Sequence, residues 1–372
     1  MERVNNNQKF FFELLKAGLW GKDVQLSQHR DIDYLEVYRL AQEQSVVGLV
    51  AEGLEKVIGV KAPQSLTLTI AGEVLQIEQR NKAMNAFIVS LVEKMHSAGI
   101  NTLLVKGQGV AQCYNRPLWR SCGDVDFLLS NDNYKKAKLF LNPLVSEVGT
   151  ENEYFKHIGM TIGGWVVELH GKLYCGLSSK IDRVLDEVLN ETFYSGNVRS
   201  WDNNGSQIFM LGKENDIVYV FVHFLNHYYR EGVGLRQICD WCRLLWTYRD
   251  EIDVRKIEKR IQNMGLVLEW KVFAAYVVEY LGMPAEVMPM YSDDKKLKRK
   301  AKFINNFILS VGNMGHNRDS SYMEFPYFFR KCYSAKRRIC DLVNHARIFP
   351  MDSLRFFPNI MLMGVKCAMR GR

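Results

Sequence analysis

The sequence predicts an α+β protein, a small mixed sheet with helices set between two helical regions. Three observations predict this. Residues 1–98 carry apolar side chains at helical spacing. Residues 99–212 contain short apolar runs at 100–105, 124–129, 160–170 and 206–211, of strand length and bounded by Gly, Ser and Asn. From residue 213 onward the helical period returns and holds to the end of the chain. These shifts divide the chain into a helical N-terminal region (1–98), a mixed core (99–212) and a helical C-terminal region (213–372).

Each element has a local reason. Residues 9–20, 34–57 and 66–95 are helical by period. In the third, Leu66, Ile70, Val74, Ile77, Met84, Phe87, Leu91 and Met95 recur every three, four or seven residues. Pro63-Gln64-Ser65 opens that helix and Gly99 stops it. The run 100–105 is a buried-type strand, followed after Gly107 by a short helix at 108–114. Residues 124–129 form a strand. Ser130-Asn131-Asp132 caps a helix that runs through Leu141. Residues 160–170 read as one long strand bent at Gly163-Gly164. With a further strand at 206–211, the expected sheet has its helices on one side. Helices then follow at 214–229, 235–248, 254–264 and 266–281, punctuated by Gly232, Gly234, Gly265, Gly282 and Pro284, with later segments at 295–309, 327–348 and 352–370.

Composition bounds the class. A chain of 372 residues with 47% hydrophobic content has room for two or three domains and a sizeable core. No apolar run reaches the roughly 18 residues of a membrane span. Residues 1–10 are polar and lack a signal-peptide pattern. Eight cysteines are scattered without the spacing of a disulfide framework, so a reducing cytoplasm is the expected home. The net charge of +8 is uneven, because residues 286–372 hold 17 Lys or Arg against 7 Asp or Glu. Such a segment fits an anionic partner (nucleic acid, anionic lipid or an acidic protein) or a solvated helical surface. Phe356, Phe357, Ile360, Met361, Leu362, Val365 and Met369 lie near basic residues. They predict an amphipathic helix, either peripheral on a membrane or packed on the protein's own core.

The chemistry concentrates in Gly123-Asp-Val-Asp-Phe-Leu-Leu129. Asp124 and Asp126 alternate with apolar residues, so on a strand both carboxylates point to one face. Asp is disfavoured in strands, and two like charges this close repel. A divalent cation removes that cost; solvated acids at a strand end are the plain alternative. Lys106-Gly107 ends the preceding strand 17 residues before Asp124. Glycine lets backbone approach a phosphate, and lysine adds a point charge. Glu168, on the later apolar strand, is the candidate third acid, a metal ligand that also helps deprotonate an attacking hydroxyl, with Glu147 and Glu153 as substitutes. His170 shares the face of Glu168 and either orients it, touches substrate or is structural. Arg116 and Arg120 either clamp phosphate or form ion pairs. His223 and His227, at i and i+4, have zinc spacing but no evident third ligand. Cys239-Asp-Trp-Cys242 falls inside an apolar helix and reads as core. Gly107-Gln-Gly109 lacks the third glycine of a dinucleotide fingerprint.

Residues 104–129, with Lys106-Gly107, Tyr114, Arg120 and Gly123-Asp124-x-Asp126, followed by Glu168-x-His170, resemble the core of a poorly characterised bacterial nucleotidyltransferase family of the DNA polymerase β type. Leu235-Arg236 followed by Asp240 is a weaker echo. Gln108 departs from the superfamily, which usually places Gly or Ser there. The resemblance covers roughly residues 100 to 170. It implies a polymerase-β-like core and Mg²⁺ (or Mn²⁺) held by Asp124, Asp126 and Glu168. It also implies an NTP such as ATP bound through Lys106, Gly107, Gln108, Arg120 and His170. The implied reaction moves an NMP from the NTP to an acceptor hydroxyl on a small molecule, sugar, protein or RNA end, releasing pyrophosphate. The other expectation is a non-catalytic nucleotide-binding or scaffold protein that acts through its basic C-terminal surface.

Overall fold

In a computed structural model the described residues are 2–25, 32–59, 62–318 and 321–369. The N-terminal part contains α1 (Glu2–Trp20), β1 (Val24–Gln25), α2 (Tyr34–Glu43), α3 (Val47–Leu54), β2 (Val57–Ile58) and the long α4 (Gln64–Ser97). The middle contains β3 (Leu103–Val105), α5 (Gly107–Ala111), β4 (Asp124–Leu128), α6 (Asn131–Leu141), β5 (Val145–Val148), β6 (His157–Ile162), β7 (Trp165–His170), α7 (Ser179–Tyr194), β8 (Val198–Asn203) and β9 (Ser206–Leu211). The last part contains α8 (Lys213–Arg230), α9 (Leu235–Thr247), α10 (Val254–Met264), α11 (Val267–Leu281), α12 (Lys295–Val311), α13 (Tyr327–Ala346) and α14 (Pro350–Met369). The protein is α+β, as the sequence predicts.

The main sheet has seven strands in the order β5-β6-β7-β4-β3-β9-β8. It is mixed: β4 runs antiparallel to β3 and parallel to β7, and β3 runs parallel to β9. Strand alternation then sorts the side chains. Leu104, Val125, Phe127, Val167, Leu169 and Met210 face one core, which α4 covers with Met84, Ile88, Leu91 and Met95 and α6 with Tyr134, Ala137 and Leu141. Leu103, Val105, Leu128 and Leu211 face a second, larger core. That core draws residues from all three sequence regions, from Phe10 to Ile360.

Four expectations need correction. Helices cover both faces of the sheet, because Leu103 and Val105 are as buried as Leu104 between them. The segment 34–57 is two helices, broken at Ser45, whose φ of 56° leaves the helical region. The segment 160–170 is a hairpin and not one bent strand. Gly163 and Gly164 have φ of 57° and 81°, the left-handed pair that closes a two-residue turn. Finally, α7, β5 and β8 are elements the sequence pattern did not reveal. The capped start at Ser130 is as expected, with its hydroxyl accepting from the Asn133 amide.

The C-terminal hairpin docks through a histidine. His345 of α13 packs against the rings of Tyr228, Tyr229 and Phe307 at 4.5, 5.1 and 4.9 Å. Neither ring nitrogen has a hydrogen-bond partner among the described residues. Burial, helped by the Arg318 charge, pushes its pKa down to about 3. An unfolded histidine titrates near 6.5, so the unfolded chain binds the proton first. The contribution of this group is therefore fully present above about pH 6.5 and is lost as pH falls toward 3, by on the order of 5 kcal/mol at the acid limit. Protection factors of the α13 amides, which remove the intrinsic pH dependence of exchange, should fall as pH drops from 6.5 to 5, and His345→Phe should flatten that dependence.

Candidate active site

The site is assembled by strand register. Val105 pairs with Asp126 across β3 and β4, and Asp126 pairs with Glu168 across β4 and β7. His157 pairs with His170 across the β6–β7 hairpin. Asp124, Asp126, Glu168 and His170 therefore share the face opposite Val125, Phe127, Val167 and Leu169. One ligand oxygen from each of Asp124, Asp126 and Glu168 lies within 4.8 Å of the others. His157, Glu168 and His170 form a second such group.

Charge crowding on this face is balanced locally. Lys106 Nζ sits 2.7 Å from Asp126 Oδ1, and His170 Nε2 sits 2.8 Å from the same oxygen. His157 Nε2 lies 3.1 Å and His170 Nε2 3.4 Å from Glu168 Oε2. The Asp126 charge, then burial, raises the Asp124 pKa. Burial works against ionised Glu168, but hydrogen bonds with His157 and His170 and the Lys106 charge hold it well below the usual carboxylate range. Burial opposes charge on His170, yet Asp126 and Glu168 raise its pKa. Burial also opposes charge on Lys106, and the Asp126 carboxylate overrides it and raises that pKa.

Lys106 is held in an unusual backbone state, with φ 58° and ψ −146°. A side chain there costs on the order of 1–3 kcal/mol, and such strain persists where the surroundings over-determine it. Gly107 follows at φ 40°, and a Cβ on it would lie 3.2 Å from Cys122 Sγ. The turn thus delivers the Lys106 ammonium onto Asp126.

A cavity of about 300 Å³ opens over the acids. Lys106, Asp124, Asp126 and Glu168 line one side, and His223, His227, Arg236 and Asp240 from α8 and α9 also line it. Arg236 donates from Nη1 to the Ser121 carbonyl at 2.8 Å and makes no ion pair among the described residues. His223 Nε2 lies 3.2 Å from His227 Nε2, and His227 Nδ1 lies 3.4 Å from Glu231. Burial and the Lys106 charge keep the His223 pKa far below its ordinary value, so this ring is neutral. No group of three metal-competent side chains among the described residues includes either histidine.

Several candidates take structural positions. Arg120 is buried and spends its fork on Asp240, with Nε at 2.7 Å and Nη2 at 2.6 Å from the two carboxylate oxygens. Tyr114 donates its hydroxyl to the same Asp240 at 2.7 Å. Gln108 is buried and donates to Asn81 on α4 at 2.7 Å, while Asn81 donates to the carbonyls of Leu118 and Arg120. The Gln108 side chain thus ties the turn to α4. Arg116 pairs with Glu55 and stacks on Trp119. Glu147 and Glu153 are exposed and stand outside the acid group. Cys239 and Cys242 are core residues, as expected.

The sequence pattern missed His157 and undervalued Arg236. The signal for His157 was present: residues 157 and 170 are symmetric about Gly163-Gly164, so a hairpin turn there pairs the two histidines. Arg236 lies on a helix far along the chain, and only packing brings it over the acids.

Three clustered acids beside a strained Lys-Gly turn offer oxygen ligands that could hold a cation and a positive charge that could meet an anion. A family profile described as "Uncharacterised nucleotidyltransferase" matches residues 30–282. The chain belongs to that family. No curated protein matches. Among solved structures, a crystal structure of an antigenic nucleotidyltransferase-like protein from Paracoccidioides brasiliensis aligns over 54% of this chain and 92% of its own. It does so at 15% identity and a TM-score of 0.33, too weak a superposition to bear on function.

Proposed function

We propose that this protein is a divalent-metal-dependent nucleotidyltransferase that moves an NMP from an NTP to an acceptor hydroxyl. One observation carries this: Asp124, Asp126 and Glu168 share one sheet face within 4.8 Å, beside a cavity that also contains Lys106 and Arg236. The donor set fits Mg²⁺ or Mn²⁺, since three carboxylates offer hard oxygens and the raised pKa of Asp124 records repulsion that a cation relieves. Bound ions would neutralise charge on the triphosphate and on the attacking and leaving oxygens.

The chain's own residues supply position. The acceptor oxygen bonds to the α-phosphorus, the α–β bridging bond breaks, pyrophosphate leaves, and the hydroxyl proton passes to a base. Glu168, kept ionised by His157, His170 and the Lys106 charge, is the third ligand and the candidate acceptor of that proton. His157 and His170 orient it, and His170 also orients Asp126. Lys106 contacts phosphate from the strained turn. Arg236, which makes no ion pair among the described residues, is the second phosphate contact and takes the role that the resemblance gave to Arg120. Arg120 and Gln108 act as positioning residues for the wall.

Arg236→Gln should weaken Mg²⁺-dependent NTP binding by roughly tenfold or more, the worth of one charge-assisted contact. Lys106→Ala should raise KM more than it lowers kcat, because ground-state phosphate contacts are uniform binding. Titration calorimetry with NTP and Mg²⁺ reads the first, and steady-state kinetics reads the second. NTP binding indifferent to Mg²⁺ would instead favour a non-catalytic nucleotide-binding protein.

A further inference from the structure

The C-terminal hairpin has an exposed apolar surface, and the sequence of residues 325–372 carries the chain's whole excess of positive charge. On α13, Phe329, Cys332, Lys336, Ile339 and Val343 recur at spacings of three and four, so they share one side of the helix. All five are exposed. Phe328 is 70% and Phe329 60% exposed, and Phe325 and Tyr327 beside them are exposed as well. Asp341 and His345 are the buried residues of this helix, so its inner side is already used. On α14, Phe356 and Ile360 belong to the core, whereas Met351 is 74% and Leu354 66% exposed. The sequence expected residues 352–370 to form the amphipathic surface. Two of the residues named for it are core, and the outward apolar residues instead begin on α13. The side chains of Val365 and Met369 lie outside the described ones.

Charge selects the occupant. Residues 325–372 hold ten Lys or Arg and two Asp or Glu, a surplus of eight that equals the net +8 of the full chain. Of the two acids, Asp341 is already paired with Arg318 at 2.9 Å. A second copy of this hairpin would bring like charges together. A nucleic acid would meet the cations but leave Ile339, Val343, Met351 and Leu354 in water. An anionic bilayer surface satisfies both features, with rings and aliphatic chains at the acyl boundary and Lys and Arg among the headgroups. No described helix is long and apolar enough to cross a membrane.

We propose that α13 and the start of α14 dock this protein peripherally on an anionic lipid surface. The proposal does not depend on the chemistry of the acid cluster.

The test is co-sedimentation of the full chain with vesicles of phosphatidylcholine alone or with about one-third phosphatidylglycerol. The protein should pellet with the anionic vesicles, stay in solution with the neutral ones, and dissociate as NaCl approaches roughly 0.5 M. Phe328→Ser combined with Phe329→Ser should lower the bound fraction at least roughly tenfold. Lys336→Gln with Arg347→Gln should lower it and weaken the salt dependence. These four side chains are exposed, and an unchanged circular dichroism spectrum and Tm would show that the variants fold. Equal pelleting with and without anionic lipid would overturn the proposal. So would Phe variants that bind like wild type, or a concentration-dependent dimer that the Phe variants abolish.

Discussion

Asp124→Asn should abolish nucleotidyl transfer and leave the fold intact. The substitution keeps the shape of the side chain and removes one ligand charge. Asp124 is only partly buried, and its charged state is disfavoured by Asp126 next to it, so folding has little invested in its ionisation. The loss should be at least about 10³-fold in kcat, roughly 4 kcal/mol of transition-state stabilisation. Asp126→Asn should be equally inactive but also unstable. Asp126 is the anion for buried Lys106 and accepts from His170, and removing one partner of a buried pair costs roughly 3–5 kcal/mol. Activity and urea unfolding measured on both variants separate the two roles. Near wild-type turnover in Asp124→Asn would remove that residue from the metal site.

Asp240→Asn should be the most destabilising change outside the acid face. Asp240 accepts both arms of the Arg120 fork and the Tyr114 hydroxyl, all three side chains being buried. Asparagine leaves a guanidinium in the core without its counter-charge, at roughly 3–5 kcal/mol. The urea midpoint should fall while the m-value stays constant. Arg120→Met combined with Asp240→Leu should recover much of the loss, because a buried ion pair replaced by apolar groups of similar size is often close to neutral. A loss below about 1 kcal/mol in Asp240→Asn would show that Arg120 finds other acceptors.

The acid pair was legible because alternation on a short strand leaves only two choices of face, and the apolar residues choose one. Glu168 was legible for the same reason, on a strand with its own apolar marking, whereas Lys106 lies just after β3 and was marked by the glycine that follows it. The register that sets Asp126 beside Glu168 is long-range and had no local mark. His157 was hidden because Gly163-Gly164 reads equally as a bend in one strand or a turn between two. The charge of Arg120 left phosphate contact and ion pairing both open, and the family resemblance chose phosphate. What decided its role was Asp240, 120 residues later, and no periodicity carries that information. The helical flanks were read well from their 3.6-residue period, except at Ser45, where one left-handed residue divides α2 from α3.

The most direct test of nucleotidyl transfer uses two labels. The pure protein is incubated with Mg²⁺, an extract containing acceptors, and each NTP labelled either at the α- or at the γ-phosphate. Label from the α-phosphate should appear on a new product, and label from the γ-phosphate should appear as pyrophosphate, with both signals lost in Asp124→Asn. Transfer of the γ-label to an acceptor would contradict NMP transfer and make the protein a kinase. Absence of both products with every NTP, from protein that binds NTP without Mg²⁺, would contradict the catalytic assignment of Asp124, Asp126 and Glu168.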